Sequence, residues 1–115
     1  MNLPNHDKAV IPHRKLVGYL LSHTHRDGRS KAKFFTQFGF SVAAWEELAQ
    51  ALRQHAADHE IAKAEPSPFG TRYVIEGQIT TPEGRTPLIR SVWFIATGEK
   101  IPQFATAYPL KRRAS

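Results

Sequence analysis

Apolar residues recur at two different periods along this chain, and the change comes near Pro66. Leu16, Val17, Leu20 and Leu21 repeat at helical spacing behind Pro12, a residue suited to a first helical turn, where its missing N–H costs nothing. A short edge strand, Ala9-Val10-Ile11, precedes it. Ser30 is the expected N-cap of a second helix through Phe38, whose apolar face is Phe34, Phe35 and Phe38, with Gly39 as its terminator. Ser41 is the expected cap of a third helix reaching about Asp58, with Phe40 and Trp45 placed as a hydrophobic staple. Its buried stripe is Trp45, Leu48, Ala49, Leu52 and Ala56.

Beyond Pro66 the pattern alternates. Tyr73, Ile75 and Ile79 share one face of a strand, and Pro82-Glu83-Gly84-Arg85 turns it into a second strand, Leu88 to Ala96. Thr97-Gly98-Glu99-Lys100 leads to a third, Gln103 to Tyr108. Such short connections favour an antiparallel meander. The expected fold is therefore a single α+β domain, residues 1–115, with three N-terminal helices packed on one face of a three- to four-stranded antiparallel sheet. Residues 1–10 and 111–115 are expected to be a flexible polar lead and a flexible basic tail.

At 115 residues the chain suffices for one modest core. No apolar run is long enough to span a membrane, and Met1 to Val10 lacks a signal-peptide core. The absence of cysteine excludes disulfides, thiolate metal sites and cysteine nucleophiles, and fits a reducing cytoplasm.

Charge is unevenly spread. The net charge is +6; residues 1–35 hold seven Lys/Arg against two acids, whereas residues 41–65 hold two against five. Lys111, Arg112 and Arg113 add positive charge at the end. Basic ends around an acidic middle point to a polyanionic partner such as RNA.

Within the first basic region, His23 to Lys33 carries the densest chemistry. His23 and His25 have the spacing of a metal pair, but two ligands and a nearby Asp27 make no full set, so no metal and no cofactor are expected. Arg29, Ser30, Lys31 and Lys33 at a helix start instead suit a phosphate. His55 flanks the buried stripe of the third helix near its C-terminus and has the chemistry of a general acid or base. Arg90 alternates with Leu88, Val92 and Phe94. Thr106 and Tyr108 share a strand face with Phe104, and an Arg with two such hydroxyls can hold a scissile phosphate. The bland alternatives are an exposed basic loop, a packing histidine and a mixed half-exposed sheet face.

Three phrases together resemble a small uncharacterised bacterial domain family, found alone and at the ends of adhesin-like or toxin-like proteins. They are Ser30-Lys31-Ala32-Lys33-Phe34-Phe35 with Gly39-Phe40; Phe69-Gly70-Thr71-Arg72-Tyr73-Val74; and Val92-Trp93-Phe94-Ile95 followed by Thr106-Ala107-Tyr108-Pro109. The resemblance spans about Ile11 to Pro109 and implies no activity. A helical half followed by a sheet ending in Thr-x-Tyr-Pro also resembles the barnase–EndoU–colicin–RelE class of ribonuclease toxins. That resemblance implies metal-independent cleavage through the RNA 2′-hydroxyl; only Thr106 and Tyr108 match its motif, and its histidine motifs are missing in clear form.

The leading expectation is thus a toxin-like ribonuclease with His55 as acid/base, Lys31 and Arg90 on the phosphate, and Thr106 and Tyr108 orienting it. A small cognate immunity or antitoxin protein is the expected protein partner. The alternative is a non-catalytic binding module of a toxin–antitoxin-like or phage-associated pair. A nuclease of this design needs His55, Arg90, Thr106 and Tyr108 in one cleft.

Overall fold

A computed structural model describes residues 1–110; the basic tail Lys111-Arg112-Arg113 lies outside the described residues. After a single 3-10 turn, His6–Lys8, three longer helical segments precede a four-stranded antiparallel sheet in the order β1-β2-β3-β4, the expected α+β arrangement. The strands are β1 (Ile61–Ser67), β2 (Gly70–Gln78), β3 (Leu88–Ala96) and β4 (Gln103–Pro109).

The first helical segment differs from expectation. One α-helical turn, α1 (His13–Lys15), with Pro12 as its N-cap, continues as a π-helical stretch, Leu16–Leu20. Leu16, Leu20 and Leu21 are all buried. The second helix, α2, spans Arg29–Gln37 and has Gly28 as N-cap, so Ser30 lies inside it and makes no cap bond. Its end is as expected. Gly39 takes φ 96° and donates its N–H to Thr36, while Phe40 N–H reaches back to Phe35. Those paired bonds close the helix, and the Phe35 and Phe40 rings meet at 6.1 Å.

The third helix, α3 (Trp45–Asp58), starts four residues after Ser41, whose hydroxyl instead accepts the Ala44 N–H at 3.2 Å. Trp45 meets His13 edge-on at 4.7 Å, tying α1 to α3. The helices cover one sheet face, where Leu16, Leu20, Phe35, Leu48 and Leu52 pack on Ile75, Ile89, Trp93 and Phe104.

Strand β1 is an addition to the three strands read from the sequence; it lacks an alternating apolar pattern because it lies at the sheet edge, mostly exposed. Its pairing with β2 is irregular between Ile61 and Lys63. A second irregularity falls on β4. Trp93 pairs with Phe104 and Val92 with Thr106, leaving Ala105 as an extra residue, a β-bulge. Phe104 therefore stays on the helix-covered face, while Thr106 and Tyr108 turn to the other, against the expectation that all three share one face.

Val10 bridges Gln103 of β4 in parallel, a single pair in place of the expected edge strand. The lead expected to be flexible is packed down: Leu3 is 1% exposed and Asn2 Nδ2 donates to the Ala57 carbonyl at 2.9 Å.

Candidate functional site

His55 projects from α3 onto the sheet, sealed in a complete hydrogen-bond chain. Its Nε2 lies 3.1 Å from the Gly77 carbonyl, which can only accept, so Nε2 carries the proton. Nδ1 then accepts from the Ser91 hydroxyl at 2.9 Å, and Ser91 Oγ in turn accepts from Trp93 Nε1–H at 2.9 Å. The imidazole is neutral and every polar atom in the chain is paired. Burial pushes the His55 pKa down to about 4, outweighing the Gly77 hydrogen bond that raises it. His59 lies beside it, ring centres 4.9 Å apart, and donates to the Gln78 carbonyl.

Arg90, Thr106 and Tyr108 share the opposite, helix-free face of the sheet. Cross-strand register places Glu76, Arg90 and Tyr108 in one row across β2, β3 and β4, and Val74, Val92 and Thr106 in the next. Arg90 Nε donates to Glu76 Oε2 at 2.7 Å, Nη2 donates to the same oxygen, and Nη1 donates to the Tyr108 hydroxyl at 3.1 Å. Hydrogen bonds to Tyr108 and Glu76 raise the pKa of the guanidinium further above its ordinary value. Tyr108 accepts from Arg90, so its own O–H proton is free to donate. The ensemble is half-buried and open to solvent on one side.

A second group joins this face at the β4 edge. Tyr19, from the π-helical stretch, places its hydroxyl 3.0 Å from Thr106 Oγ1. Lys15 and Lys31 ammonium groups lie 5.6 and 5.4 Å from the centre of the Tyr19 ring, within cation–π range. Lys15 also donates to the carbonyl of the bulged Ala105 at 3.2 Å.

The loop below Tyr19 is held by His25, whose ring meets that of Tyr19 edge-on at 5.0 Å. His25 Nδ1 accepts the N–H groups of Asp27 and Gly28, both at 3.0 Å, and so holds the turn that leads into α2. With Nδ1 so occupied, Nε2 carries the proton and is a donor only. Gly28 is required by closeness: a Cβ there would lie 2.1 Å from the Tyr19 carbonyl oxygen. A cavity in this region is lined by Arg14, Lys15, Gly18, Tyr19, His25 and Asp27. Of the residues expected to hold phosphate, Lys31 is drawn into the cluster, while Arg29, Ser30 and Lys33 remain exposed along α2.

So the structure brings Arg90, Thr106, Tyr108 and Lys31 to one side and leaves His55 on the other. It adds Tyr19, Lys15, His25 and Glu76. Glu76 carried a readable signal, since it is the outward-facing acid directly across from Arg90; Tyr19 carried none, because its place depends on the π-helical turn. Among the described residues no three His, Cys, Asp or Glu side chains gather as a metal set, and no helix is long and apolar enough to cross a membrane.

Residues 2–111 match the family described as a domain of unknown function (DUF6883), and the chain belongs to that family. No curated protein matches it. Among solved structures, its fold is similar to a chain from the "contact-dependent growth inhibition toxin - immunity protein complex" of Klebsiella pneumoniae 342. The TM-score is 0.69 at 18% identity, over 88% of this chain and 99% of that one. At that identity the likeness speaks for the fold.

Proposed function

We propose that this member of the family is the RNA-directed domain of a toxin–immunity pair, with its site on the helix-free sheet face and not at His55. The observation that carries the reading is the row Glu76–Arg90–Tyr108, joined through Thr106 and Tyr19 to Lys15 and Lys31. Arg90 and the lysines supply charge for a scissile phosphate and its neighbour. Glu76 uses only Oε2 for Arg90, so Oε1 is available as the base that takes the RNA 2′-hydroxyl proton. The 2′-oxygen then attacks phosphorus, the bond to the 5′-oxygen breaks, and the Tyr108 O–H protonates that leaving oxygen. The products are a 2′,3′-cyclic phosphate and a 5′-hydroxyl; solvent then takes the proton from Glu76 and supplies one to the Tyr108 oxygen, which restores both groups. Such a substrate implies action in the cytoplasm of the target cell.

The structural neighbour belongs to a toxin–immunity protein complex, which supports a cognate immunity protein as the partner. A second reading, a binding module without catalysis, is favoured by the separation of His55 from Thr106. The two readings part on one experiment. Purified protein incubated with total RNA in EDTA should give cyclic-phosphate ends, and Arg90→Gln or Tyr108→Phe should slow this by roughly a hundredfold, while a folded His55→Gln protein keeps cleaving. Intact RNA with the wild-type protein would sink the nuclease reading and leave the binding module.

A further inference from the structure

The β1–β2 hairpin tip carries Phe69, 79% exposed and the most exposed large apolar side chain among the described residues. A solvent-exposed aromatic is ordinary on a mobile loop, but the backbone that carries this one is fixed from several sides. Phe69 N–H donates to Ser67 Oγ at 3.2 Å, and the Phe69 carbonyl accepts Thr97 N–H at 2.9 Å. Thr97 Oγ1 donates to the Pro68 carbonyl at 3.2 Å, and Ser67 Oγ donates to the Gly70 carbonyl.

Gly70 next to it is obligatory. Its φ of 151° disfavours a side chain, and a Cβ would lie 2.3 Å from the Ile95 carbonyl oxygen and 2.7 Å from Cζ of Phe94. Phe94 thus lies over Gly70 on the helix-free face, half-buried. Directly across from it is Arg72, ion-paired to Glu65 at 2.5 Å. Phe94 is four residues along β3 from Arg90, about 13 Å at the usual strand rise. One face therefore runs from the Arg90 row, past Val92 and Thr106, to Phe94 at the hairpin end, with exposed Phe69 on the adjoining tip.

We propose that Phe69 and Phe94 form a stacking platform for unpaired bases flanking the scissile phosphate, so that the substrate is single-stranded RNA. This rests on the RNA-directed reading of the same face. Nucleobases suit the platform because stacking tolerates any base and needs a bare ring on a fixed backbone, while duplex bases are already stacked on each other. The cations at the Tyr19 end and at Arg90 match the backbone of such a strand in charge.

The test is binding of a fluorescent, fully 2′-O-methylated single-stranded oligonucleotide, which cannot be cleaved, followed by anisotropy with the same sequence as a duplex for comparison. Wild-type protein should prefer the single strand. Phe69→Ala should weaken it roughly tenfold with an unchanged circular dichroism spectrum, Phe69→Trp should retain it with quenching of the added indole, and Phe69→Leu should behave like Ala. Unchanged affinity in Phe69→Ala, in a protein whose cleavage still depends on Arg90, overturns the platform but spares the nuclease reading and leaves a protein partner as the occupant of Phe69. A wild-type protein that neither binds nor cleaves RNA overturns both.

Discussion

His55 should make stability fall with acid in a window of its own. Its folded pKa of about 4 lies below the ordinary 6.5 of an unfolded chain. Between those values the unfolded chain binds the extra proton, so stability is complete above pH 6.5 and is lost as pH falls through the window. From pH 7.5 to pH 5 the loss works out at about 2 kcal/mol of an upper limit near 3 kcal/mol. Glu65 and Glu83, held below the usual carboxylate value by Arg72 and Arg85, act at lower pH and do not confuse the range. The assay is urea unfolding of wild type and His55→Gln at both pH values. Gln should cost about 1–3 kcal/mol at pH 7.5, from the disturbed Ser91–Gly77 chain, and the gap between the two proteins should narrow by about 2 kcal/mol at pH 5. An equal gap at both pH values would show that His55 is not a buried neutral group.

Three further outcomes are expected. Ser91→Ala removes both the donor to His55 and the acceptor for Trp93, and should cost about 2–3 kcal/mol in urea unfolding at pH 7.5; a loss under half a kilocalorie would contradict the closed chain. Gly28→Ala drives a methyl into the Tyr19 carbonyl and should destabilise by at least about 1–3 kcal/mol, with RNA affinity declining ahead of global unfolding; a variant as stable as wild type would mean the loop relaxes freely. Replacing Lys15 and Lys31 by Ala together should flatten the plot of log affinity against log salt for single-stranded RNA by roughly 0.7 for each phosphate no longer neutralised, and an unchanged slope would place the RNA backbone elsewhere.

Much of the framework was legible because local chemistry and tertiary packing agree there. Strand β3 occupies its expected range, since it is a mostly apolar run of high strand propensity bounded by turn residues. Gly39 ends α2 because only a positive φ satisfies its last carbonyls. The helix starts were less legible: Ser30 and Ser41 have the right side chains, but α2 starts earlier, on the backbone carbonyls of His25 and Gly28, and Ser41 spends its hydroxyl on a preceding turn. The site was half legible. Alternation put Arg90 on its observed face, but a period of two cannot register the extra residue at Ala105, and so it joined Phe104 to Thr106 and Tyr108. For His55, the same flank of the helical stripe is compatible with a reactive or a sealed imidazole; only Ser91 and Gly77, far away in sequence, decide between them.

The two sheet irregularities have a consequence for assembly. An open sheet leaves strand edges able to recruit further strands, including those of another copy of the same protein. Here one edge is interrupted between Ile61 and Lys63 and carries Pro66, which has no N–H to offer. The other is kinked at Ala105, with Lys15 on its carbonyl and Val10 bridging Gln103. Both edges are thus poor templates for runaway strand addition, and a partner that recognises this domain is steered toward the helix-free sheet face and the hairpin tip.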